Sequence, residues 1–92
     1  FCTSDSIALG ALKAFHEKGI QIPEQLEIIS VGNGNPDQEE YAIPSLSVIS
    51  LPMENMAAAC LRTVYTFLSN GEYNASTFEL PISYIARESC PE

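Results

Sequence analysis

Ninety-two residues make one small domain or a part of a larger one. Apolar residues at 46% and charged residues at 17% are globular proportions, which excludes the disordered and collagen-like classes. Four basic against twelve acidic residues give a net charge of -8, which makes the chain a poor candidate for gripping nucleic acid or an anionic membrane by itself.

The chain opens on Phe1-Cys2-Thr3, with no Met, charged n-region or signal-peptide core. This opening reads as the cut end of a strand, so the chain is expected to be a piece of a larger protein. Ser4-Asp5-Ser6 offers side-chain oxygens for the free N–H groups of a helix's first turn. A helix is expected from about Ser6 to Lys18, with Ile7, Ala8, Ala11, Leu12 and Phe15 on one face and Gly19 closing it. Leu26 to Val31 is expected as a strand, and its near-continuous apolar run suits a parallel strand covered on both faces. The leading strand, helix and second strand then form a right-handed βαβ unit. Gly32-Asn33-Gly34-Asn35-Pro36-Asp37 is a dense turn at the carboxyl end of that strand, where open α/β sheets bind ligands. Gln38 to Tyr41 suits a short helical turn, and Leu46 to Ser50 a third strand. Pro52 starts a long helix over about Met53 to Ser69, with Met53, Met56, Ala57, Cys60, Leu61, Val64 and Leu68 on its apolar face. Asn70-Gly71 ends it. Phe78 to Ala86 is a last strand, in which Pro81 implies an edge, a bulge or a crossing between lobes.

No catalytic constellation emerges. His16 is the one histidine, and a metal site needs several ligands. Ser, His and Asp occur without a G-x-S-x-G elbow. The Gly32–Asn35 turn lacks both the G-x-G-x-x-G spacing and a P-loop lysine. Cys2, Cys60 and Cys90 cannot all pair within one chain and form no C-x-x-C, so buried thiols in a reducing compartment are the plainer reading. Asn74-Ala75-Ser76 matches a glycosylation sequon, a pattern common by chance. Glu39-Glu40 reads as a solvated loop. Ser4 and Asp5 read as helix caps that can still face a ligand, because N–H groups at a helix start attract polar oxygens. Leu9 lies off the main apolar face; with Ala8, Leu12 and Tyr41-Ala42-Ile43 it could form a subunit contact. Met53 packs in a core or lines a cleft. The residues favour binding over catalysis, with no metal and no cofactor.

Several segments together resemble the LacI/GalR family of bacterial transcription regulators, in its sugar-binding-like effector domain. Thr3-Ser4-Asp5-Ser6-Ile7-Ala8-Leu9-Gly10-Ala11-Leu12-Lys13-Ala14-Phe15 is similar to the family's S/N-D-x-x-A-x-G-A helix. Gly19-Ile20-Gln21-Ile22-Pro23-Glu24-Gln25-Leu26 is similar to its G-I-x-V/I-P-E-D loop, Pro44-Ser45-Leu46-Ser47 to P-x-L-T/S, and Leu80-Pro81 with Arg87-Glu88-Ser89 to the closing L-P and R-E-S. The order and spacing of these pieces extend over nearly all of the chain.

The resemblance implies an α/β, type I periplasmic-binding-protein-like fold, present in part: a parallel βαβ of the C-terminal lobe, a crossover helix and a returning strand. Residues 1–50 and 78–90 would belong mainly to the C-terminal lobe and 52–70 to a helix of the N-terminal lobe. It implies the effector-binding and dimerisation part of a cytoplasmic regulator, a repressor by expectation and not an enzyme. The effector would be a small molecule, a sugar by expectation. Operator DNA would be bound through a helix-turn-helix head outside this chain, by a homodimer and without a membrane. Position by position, the effector contacts would be Ser4, Asp5, Gly32, Asn33, Leu51 and Met53, and the dimer surface would include Leu9, Leu12 and Tyr41. Gly32 stands where an acidic or amide side chain is usual, Asn33 where a second Asp is usual, and Leu51 where Gln is frequent. A site built to read hydroxyls rarely drops partners freely, since each unpaired buried hydroxyl costs about 1–3 kcal/mol. A periplasmic sugar receptor of the same fold is the first alternative and an α/β enzyme the second.

Overall fold

The computed structural model describes residues 1–32, 35–71 and 79–91. Asn33, Phe78 and the Asn74–Ser76 sequon lie outside these described residues. The chain divides into two compact units, residues 1–51 with 82–92, and residues 52–81.

The first unit begins with Cys2, which pairs in parallel with Ser30. Its N–H donates to the Ile29 carbonyl (2.9 Å), and its carbonyl accepts from Val31 N–H (3.1 Å). Helix α1, Asp5–Glu17, follows at once. Ser4 is its extended N-cap, with Oγ accepting from Ile7 N–H at 3.3 Å, and Asp5 places an acid in the positive first turn. Lys18 caps the other end, before Gly19 at φ +74°. Strand β1, Ile29–Gly32, starts later than the sequence implies and runs one residue further. Helix α2, Pro36–Glu40, starts two residues earlier than expected, because Asn35 is an N-cap (Oδ1 accepts from Gln38 N–H, 3.3 Å) and Pro36 is preset for the first helical position. Strand β2, Ser47–Ser50, pairs in parallel with β1, Ile29 opposite Ser47 and Gly32 opposite Ser50. Ser30 faces Cys2 on one edge and Val48 on the other, so the leading segment and β2 flank β1.

Between β2 and β3 the chain passes through the second unit. Its main element is α3, Met53–Asn70. Gly71 closes α3 in the left-handed conformation (φ +68°), and its N–H donates to the Phe67 carbonyl at 2.8 Å. The expected apolar stripe is present, but no residue of α3 is buried: Leu61 is 70% exposed and Leu68 75%. No helix among the described residues is long and apolar enough to cross a membrane. The first unit resumes with β3, Ser83–Ile85, shorter than the expected last strand and antiparallel to β2; Leu80 and Pro81 precede it.

The core of the first unit is Ala8, Leu12, Ile28, Leu46 and Val48, with Cys2, Leu9, Ala11, Phe15, Ile22 and Ala42 packed around them. Of the face expected for α1, Ala8 and Leu12 are covered, whereas Ile7 is 55% exposed. The closing Arg87-Glu88-Ser89-Cys90 segment knits the starts of β1 and β2 together. Ser89 Oγ donates to the Ile28 carbonyl (2.7 Å) and accepts from Ser47 N–H (2.8 Å). The fully buried Ser47 hydroxyl donates to the Cys90 carbonyl (2.9 Å) and accepts from Arg87 N–H (2.7 Å) and Cys90 N–H (3.1 Å). Every hydrogen-bonding position of that hydroxyl is used, which is why a serine is tolerated there.

Candidate functional site

Parallel pairing sends the carboxyl ends of the leading segment, β1 and β2 to one edge of the sheet. Ser4, Gly32 and Ser50-Leu51 therefore stand at that edge, with the N-terminus of α1 beginning there. Ser4 is half-buried and its oxygen is engaged as a cap; its O–H remains a donor toward whatever approaches. Leu51 is half-buried. Met53 belongs to the second unit and is 45% exposed.

Asp5 has no exposed surface, and its Oδ1 accepts from Ser30 Oγ at 2.6 Å. It ties α1 to β1. Gly32 is buried and offers no side chain. A Cβ built there would lie 2.6 Å from Glu39 Oε2, so any larger residue would require the Glu39 carboxyl to shift.

Glu39 is the residue that sequence reasoning misplaced. It is not in a solvated loop but 4% exposed, with Oε1 3.4 Å from Arg87 Nη1. Arg87 Nη1 also donates to the Leu46 carbonyl at 2.8 Å. Burial pushes the Glu39 carboxyl up to about 7, helped by its hydrogen bond to Asp5 and the Asp5 charge; Arg87 opposes the shift. No local signal points to this pair, because Glu39 and Arg87 are 48 residues apart. Glu88, by contrast, is held below the usual carboxylate range by hydrogen bonds from Ser45, whose N–H donates to Glu88 Oε1 at 3.1 Å.

Leu9, Leu12, Lys13, His16, Ala42 and Ile43 line a groove of about 450 Å³ beside α1. Leu12 serves the core more than this surface, being 7% exposed. Tyr41 and Ile43 are open at 76% and 92%. Among the described residues, no group of three or more His, Cys, Asp or Glu could hold a metal ion.

The family model of the periplasmic binding protein-like domain matches residues 1–90. The HTH-type transcriptional repressor MelR of Bacillus subtilis is 36% identical over 90 residues, covering 98% of this chain and 25% of MelR. A LacI family transcription regulator from Clostridium acetobutylicum superposes with a TM-score of 0.68 at 30% identity, over 90% of this chain and 32% of that one. The transcriptional regulator CelR in complex with cellobiose gives a TM-score of 0.84 at 22% identity, over 95% of this chain and 26% of that one, a likeness of fold. The chain spans about a quarter of the length of the curated relatives it matches. The family match, the parallel pairing of β1 with β2 and the order of the elements agree: the chain belongs to the periplasmic-binding-protein-like domain family, and LacI-type transcriptional regulators are its relatives.

Proposed function

We propose that this chain is the C-terminal part of the effector-binding domain of a LacI/GalR-type regulator, a repressor that works as a homodimer in the cytoplasm. The observation that carries the reading is the shared edge, where the capped start of α1 meets the carboxyl ends of β1 and β2. Such an edge gathers donors around a small polar molecule. The effector in this reading is a sugar; the curated relatives include ribose operon repressors. In this reading the effector contacts are Ser4, Asp5, Gly32, Asn33, Leu51 and Met53. With no side chain at Gly32 and an apolar one at Leu51, fewer hydroxyl partners are available than in a fully polar cleft.

Residues 1–50 and 78–90 belong to one lobe in this reading, and 52–70 to the other. Leu9, the rim of Leu12 and Tyr41 lie on the dimer surface. A separate helix-turn-helix head reads the operator, and effector binding shifts the population between bound and released states. The acidic chain described here takes no part in DNA contact, and no catalytic residue is assigned.

The test is a thermal-shift screen of the full-length protein against cellobiose and a panel of mono- and disaccharides, followed by operator binding with and without each hit. Stabilisation by a sugar that also changes operator affinity is the expected result. Stabilisation without any operator binding would favour a receptor instead.

A further inference from the structure

At the tip of β1 three elements bring charged groups together out of water. Asp5 comes from α1 and is fully buried; Glu39 comes from α2 and is 4% exposed; Arg87 follows β3 and reaches Glu39 Oε1 at 3.4 Å. Ser30 Oγ donates to Asp5 Oδ1 at 2.6 Å, and the Asp5 carboxyl adds to the burial that raises the Glu39 pKa. A buried carboxylate beside another carboxylate is disfavoured in its charged form. One carboxylate, one carboxylic acid and one guanidinium leave the cluster neutral, the composition that burial favours. Meanwhile the Glu39 carboxyl fills the space over Gly32, where a Cβ would come within 2.6 Å of Oε2.

We propose that Gly32 and Glu39 form an interdependent pair: the missing side chain at the end of β1 admits the buried carboxyl from α2, and that carboxyl, anchored by Arg87, sets how the strand tip is held. Glu39 is thus a positioning residue for the edge of the sheet. The pair does not depend on which molecule the edge binds, or on whether it binds one.

The pH dependence follows from the proton on Glu39. The folded state holds Glu39 protonated up to about 7, whereas the free side chain ionises near 4.5. Below 4.5 both states carry the proton and the contribution to stability is complete. As pH rises, the unfolded chain ionises first, so the contribution declines up to about 7 and then levels off. The test uses the full-length protein, melted from pH 4 to 8.5, as wild type, Glu39→Gln, Gly32→Ala, Glu39→Ala and the Gly32→Ala/Glu39→Ala double variant. A glutamine keeps a donor toward Asp5 and an acceptor toward Arg87 without titrating. Glu39→Gln is expected to melt within a few degrees of wild type at pH 5 and to lose the decline between 4.5 and 7. Gly32→Ala is expected to lower the midpoint by several degrees, or prevent folding, in the Glu39 background and to cost little in the Glu39→Ala background. An unchanged pH profile in Glu39→Gln would overturn the burial of that carboxyl. An equal penalty for Gly32→Ala in both backgrounds would overturn the pairing.

Discussion

Ser47 shows how a single side chain can bind this fold together. Its hydroxyl, with no exposed surface, serves the Arg87 and Cys90 N–H groups and the Cys90 carbonyl at once. Ser47→Ala leaves those buried groups short of partners and is expected to destabilise the full-length protein by about 2–3 kcal/mol in urea denaturation. Ser69→Ala, on the exposed end of α3, is expected to stay within about 0.5 kcal/mol. Ser4 separates two roles. Ser4→Ala removes the α1 cap at a cost of about 1 kcal/mol and is expected to weaken binding of any sugar that stabilises the protein. Ser4→Asp restores a cap; recovery of the melting midpoint without recovery of sugar affinity would assign the hydroxyl to the ligand.

The elements follow closely from local chemistry, and their surroundings less so. Helix α1 is legible because cap, periodicity and Gly19 all act within a few residues of one another. The ends of α3 are legible for the same reason, with Pro52 before it and Gly71 after it. Its exposure is not, since the spacing of apolar residues names the face to be covered and not what covers it. Glu39 was unreadable because its partner is remote and its space comes from an atom that Gly32 lacks. Of the candidate site, Ser4 and Gly32 fall at the shared edge, while Asp5 is buried with its hydrogen-bond partner Ser30 25 residues away, which periodicity does not encode. The contrast between the two long helices can be measured. Leu12→Ala in α1 is expected to cost about 2–5 kcal/mol, whereas Leu68→Ala in this 92-residue chain is expected to cost under about 0.5.

At the scale of the molecule, an 18-residue helix with Leu61, Val64, Tyr65 and Leu68 facing solvent is a surface that water does not favour. The 92-residue chain expressed alone is expected to self-associate, with sedimentation velocity giving species above monomer mass at micromolar concentration. The full-length protein should show no such continued growth with concentration. The knot of hydrogen bonds around Ser89 adds a constraint in time. Its hydroxyl reaches back 61 residues to Ile28 and 42 residues to Ser47, so the seam sealing the first two strands is made by residues translated long after those strands. A nascent chain still tethered at residue 86 holds β1 and β2 without their fastener. The sheet's amino-terminal margin therefore closes only once residues 87–90 have left the ribosome.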